Sequence, residues 1–167
     1  MFASTPSPLH EKEINTFPST TEVSPQLLQI LQSVEEIGDL KYDDLASFFQ
    51  QLSEVFSNNT VQSHLHEASL SIQQAWKISK PYMVDPATGD LKPTKHLSHM
   101  PSLGIPLEEI AQLIKKGNPV FLSQFFSVLS SKIKKDAEGD QARGRKQLCT
   151  ALFACAEHLY HIANSFS

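Results

Sequence analysis

Residues 141–165 carry the longest regular apolar pattern in the chain, and that segment limits the fold more than any other. Leu148, Leu152, Cys155, Leu159, Ile162 and Phe166 follow one another at steps of four and three, and Cys149, Phe153, Ala156, Tyr160 and Ala163 run beside them with the same rhythm. Two adjacent stripes make an apolar face wider than a surface helix needs. Only Arg143, Gln147, Thr150, Glu157, His161 and Asn164 trace a polar line. The spacing therefore predicts a helix that lies against several others at once, the central member of a bundle.

The preceding segments supply its neighbours. Ser24-Pro25 reads as an N-cap followed by proline at the first helical position, where a missing N–H is no loss. Leu27, Ile30, Leu31, Val34 and Ile37 then form one face, and Gly38 is expected to end that helix in the left-handed conformation. A second helix is expected over 42–57, with Leu45, Phe48, Phe49, Leu52, Val55 and Phe56 at helical spacing and Asp43 and Asp44 at its positive end. Asn58 and Asn59 break it, and Thr60 caps a third helix, striped by Val61, Leu65, Ala68, Ile72, Ala75 and Trp76, that Pro81 stops. Pro106 opens a short helix to Lys116, closed by Gly117. Asn118-Pro119 repeats the cap-then-proline signal for a fifth helix to Lys135, buried through Phe121, Leu122, Phe125, Phe126, Val128, Leu129 and Ile133. Residues 137–139 are expected to form the turn, with Asp140 capping the final helix.

Two stretches break this pattern. Residues 1–23, with prolines at 6, 8 and 18 among scattered Ser and Thr, bury too little apolar surface to offset their ordering entropy and read as a flexible tail. Residues 80–105 hold prolines at 81, 86, 93 and 101 and no sustained helical period. Within them Asp85-Pro86-Ala87-Thr88-Gly89-Asp90 has turn chemistry, and Tyr82-Met83-Val84 with Leu91-Lys92 fit the arms of a small β-hairpin. Irregular loops this long in compact domains are usually functional or disordered, and this one holds enough apolar residues to pack down, so Tyr82, Met83, Leu97, Met100 and Leu103 are the candidate partner-binding residues.

At 167 residues the chain is sized for one domain, 24–167 after the tail. Its longest uncharged apolar run falls far short of a bilayer span, and its start lacks a basic region followed by an apolar block. Cys149 and Cys155 lie six residues apart on one helix, roughly 9 Å along its axis, too far to bridge. Two buried, unpaired thiols suit a reducing compartment, so a cytoplasmic location is expected. A net charge of -4 gives no overall attraction for nucleic acid or acidic membranes.

Candidate chemistry is sparse. Val34-Glu35-Glu36-Ile37-Gly38-Asp39-Leu40 resembles the acidic half of the MazG-type nucleotide pyrophosphohydrolases, all-α enzymes whose Glu-x-x-Asp element helps hold magnesium; the resemblance implies that role for Glu36 and Asp39. The family's preceding Glu-Glu-x-x-Glu helix is missing, since residues 24–33 hold no carboxylate, and the preferred reading of the string is an acidic helix end with a glycine cap. Histidines offer a second set. His158 and His161 stand one turn apart, as do His64 and Glu67, and helical bundles build metal sites from such pairs on facing helices. No Gly-x-Ser-x-Gly element, phosphate-binding glycine loop or activated cysteine is present. The basic residues Lys132, Lys134, Lys135, Arg143, Arg145 and Lys146 are diluted by Asp136, Glu138 and Asp140 and read as a solvated helix junction.

The sequence thus points to an all-α antiparallel bundle of five to six helices around a long, apolar C-terminal helix, with one long irregular loop. The function it favours is non-enzymatic, an adaptor or regulator that contacts a protein partner or a second copy of itself, with no cofactor implied and no binding to nucleic acid or membrane. The alternative is a metal- or small-ligand-binding bundle, with an enzymatic role open to it, that uses His64, Glu67, His158 and His161.

Overall fold

The computed structural model describes residues 24–83, 87–89 and 103–167, and of residues 80–83 the backbone alone. Among the described residues seven helices follow in order: α1 (Pro25–Gln32), α2 (Val34–Gly38), α3 (Tyr42–Val55), α4 (Asn59–Met83), α5 (Leu107–Lys115), α6 (Pro119–Ala142) and α7 (Lys146–Ser165). No β-strand occurs among the described residues. The fold is all-α.

Four long helices carry the core. The main packed pairs are α6 with α7, α7 with α4, and α4 with α3, so α7 lies between α6 and α4. Each of these neighbours runs antiparallel. Buried serines pin two of the pairs: Ser69 Oγ donates to the Ala46 carbonyl across α4 and α3 (2.9 Å), and Ser130 Oγ to the Ala156 carbonyl across α6 and α7 (2.6 Å). A small hydroxyl that finds a carbonyl partner avoids the cost of burying an unsatisfied polar group and lets two backbones approach closely. At one end Phe56 of the α3 terminus, Phe126 of α6 and Phe166 after α7 meet with ring centres 6.1–6.3 Å apart, which ties the outer helices together. The short helices close the remaining side, α2 on α6 and α5 on α3, with α1 reaching α5. Because α4 ends at one end of the bundle and α6 begins at the other, the connection between them must cover the bundle's length.

Several boundaries differ from expectation, each for a local reason. The first helix is two, divided at Ser33, whose N–H bonds to the Gln29 and Ile30 carbonyls. Gly38 closes α2 without entering the left-handed region, and what requires glycine there is space: a Cβ would come 2.5 Å from Lys132 Cγ. Asn58, not Thr60, caps α4, its Oδ1 accepting from the Val61 N–H at 3.1 Å. Pro81 does not stop α4, which continues to Met83. A proline in the last turn forgoes one backbone bond but leaves few residues after it to be disrupted. The expected β-arm is therefore helical at Tyr82 and Met83, while Val84 and Leu91-Lys92 lie outside the described residues, as does the 1–23 tail. Val128 is exposed, not buried.

The largest correction concerns the last turn. Helix α6 runs through 137–139 to Ala142, and the reversal comes at 143–145, where Gly144 adopts a φ of 77°. Asp140 does not cap α7. It is buried near the end of α6, its carbonyl accepts the Arg143 and Arg145 N–H groups, and its carboxylate faces both guanidinium groups at 3.4 and 3.3 Å.

Candidate functional site

Helices α4 and α7 meet along a seam whose outer side no other helix covers among the described residues. Antiparallel packing sets the beginning of α4 against the end of α7. The seam accordingly has two parts.

Toward the start of α4, three histidines come together. His64 Nδ1 lies 3.0 Å from His158 Nδ1, and the two ring centres are 5.3 Å apart. His161, one turn beyond His158, stacks on His64 with centres 5.3 Å apart and planes 27° from parallel, and the Tyr160 ring flanks His161 at 6.1 Å. His64 and His158 are half-buried and His161 is exposed. Burial, followed by the charges that His158 and His161 can carry, pushes the His64 pKa down; Glu67 pulls the other way. Glu67 is exposed and takes part through its charge. Among the described residues no group of three or more His, Cys, Asp or Glu side chains is placed to hold a metal ion.

Further along, the seam opens into a groove of about 570 Å³ lined by Leu70, Ser71, Gln74 and Ile78 of α4 and by Gln147, Thr150, Ala151 and Ala154 of α7. Small residues on α7 leave the depression, and Leu70 at its edge is 43% exposed. Sequence reasoning did not single out these residues, although a signal existed. Leu70 is a large apolar residue lying off the Val61, Leu65, Ala68, Ile72, Ala75 stripe, so it cannot share that stripe's burial.

The remaining candidates are placed as follows. Tyr82 and Met83 form the last turn of α4, with side chains outside the described set. Leu103 is half-buried against the core, and Leu97 and Met100 lie outside the described residues. Asp39, the would-be magnesium ligand, is paired with Lys132 Nζ at 2.8 Å, and Lys132 also holds Asp136 at 2.9 Å. Burial opposes the charge on that ammonium, but the two carboxylates outweigh it and raise its pKa. Asp39 therefore joins α2 to α6. Cys149 and Cys155 are free and buried, and burial pushes the Cys155 thiol well above its ordinary pKa, away from nucleophilic character. No helix among the described residues is long and apolar enough to cross a membrane.

Comparison with known proteins finds no matching family model, no similar curated protein and no similar solved structure.

Proposed function

We propose that this chain is a non-enzymatic binding protein, an adaptor or regulator, that takes up a helical segment of a protein partner in the groove between α4 and α7. The observation that carries this reading is the groove itself: a channel between two helices, open among the described residues, floored by Ala151 and Ala154 and edged by Leu70 and Ile78. Helix-in-groove recognition uses such surfaces, with apolar anchors at i, i+3 or i+4 and i+7 entering between the ridges of two receptor helices. Gln74, Gln147 and Thr150 supply polar atoms at the channel's margins that can fix the register of the incoming segment.

The test is co-purification of the tagged full chain from its native cells, comparing the unaltered protein with Ala154→Trp, which fills the groove, and Leu70→Glu, which charges its edge. Circular dichroism first establishes that each variant is folded. A protein recovered with the unaltered chain and lost from both variants supports the reading. Recovery of the same proteins at the same yield by all three chains rejects it.

A further inference from the structure

We propose that His64, His158 and His161 form a proton-operated latch across the α4–α7 seam, closed by a hydrogen bond between the Nδ1 atoms of His64 and His158 and opened when that pair takes up a second proton. The geometry of the first pair is specific. With nitrogens 3.0 Å apart and ring centres 5.3 Å apart, the difference is about the two centre-to-nitrogen radii, so the nitrogens face one another head-on between the rings. That is the arrangement of an N–H···N bond. A shared metal ion would instead need both lone pairs to converge on a point about 2.0–2.1 Å from each nitrogen, off the line joining them.

A head-on pair has room for one proton in the gap. In the neutral cluster one ring is the Nδ1–H tautomer and donates, and the other keeps its proton on Nε2 and accepts. One added proton preserves the bond, because an imidazolium still donates Nδ1–H to a neutral neighbour. A second gives both rings an N–H on the facing nitrogens, and neither can accept. The charged groups facing the pair are few: His64 and Glu67 on α4, and His158 and His161 on α7, with the uncharged Tyr160 ring beside His161. His161 lies nearly parallel on His64, so charge on both sets like charges face to face. Glu67 offsets part of this, but three imidazolium groups outnumber one carboxylate.

The sign of the pH dependence follows. Burial, then the neighbouring His158 and His161, hold the His64 pKa below its unfolded value of 6.5, so neutral His64 in the seam contributes its full stability above that pH. The contribution of neutral His64 declines as pH falls below about 6.5 and is gone below its folded-state value, and the bond itself is lost only when His158 is protonated as well. The latch stands independently of the partner-binding reading. Any effect of its opening on the neighbouring groove rests on that reading.

Long-range ¹H–¹⁵N correlation spectra of the full chain, ¹⁵N-labelled at histidine, test it. At pH 8 one of His64 and His158 is expected to show the Nδ1–H tautomer and the other Nε2–H, and the His64 titration midpoint is expected to move in His158→Phe, which keeps a ring but removes the partner nitrogen. Both rings as Nε2–H, a midpoint unmoved by His158→Phe, or stoichiometric Zn²⁺ or Cu²⁺ retained on both nitrogens in the purified protein would each overturn the latch. Should His158→Phe fail to fold, the tautomer assignment of the unaltered chain decides alone.

Discussion

Gly38→Ala sets two well-characterised effects against each other. Replacing a helical glycine by alanine ordinarily stabilises a protein by about 0.4–1 kcal/mol, chiefly by restricting the unfolded chain. Gly38 has a right-handed backbone, so no conformational strain opposes the change. What opposes it is Lys132, whose Cγ would lie 2.5 Å and Cβ 3.5 Å from the new methyl group. These atoms are at the root of the side chain, and its far end is held by Asp39 and Asp136, so it cannot swing aside without loosening both contacts. Overpacking of this kind costs about 1–3 kcal/mol. The ion pairs add little, since Asp39 is half-exposed and such pairs are worth about 0–1 kcal/mol. The net expectation is a loss of about 1 kcal/mol in urea-unfolding free energy. Lys132→Ala removes the obstacle, so in that background Gly38→Ala should become neutral or stabilising. An alanine variant more stable than the unaltered protein, or an equal loss in both backgrounds, would refute the reasoning.

Other expectations follow from the same packing. Phe126→Ala, at a side chain with no exposure that joins three helices through Phe56, Phe125 and Phe166, should lower urea-unfolding stability by about 3–5 kcal/mol; a loss under 1 kcal/mol would show that the aromatic end does not tie the bundle. Cys155 should react with Ellman's reagent at least about a hundredfold more slowly in the folded chain than after unfolding, because opening must come first. Thermal stability should fall between pH 7.5 and 5, and by less in His64→Leu; equal falls would place the acid-sensitive groups elsewhere.

Much of the architecture was legible because amphipathic stripes are local. The stripes of α3, α4, α6 and α7 name most of their buried residues, and the caps at Ser24 and Asn118 form as their side-chain chemistry suggests, with Oγ and Oδ1 accepting at 3.2 and 2.8 Å. Misreadings arose where a local signal had a competitor. Gly139 amid charged residues looked like the turn, whereas Gly144 supplies the left-handed residue and buried Asp140 fastens the reversal through two arginines. Gly38 suggested a left-handed cap, but a lysine 94 positions later dictates its lack of a side chain. The histidine pairs were visible on each helix. Their meeting, and the groove beside them, depend on the antiparallel contact of α4 with α7, which no single-helix pattern encodes.

Photo-crosslinking in the native cells tests the α4–α7 face most directly. Benzoylphenylalanine would be placed at Gln74 in the groove, and at exposed Gln50 of α3 as the control. If the seam is the docking face, irradiation gives a discrete, heavier adduct from position 74 and none from position 50. No adduct at 74, or the same adduct from both positions, would contradict it.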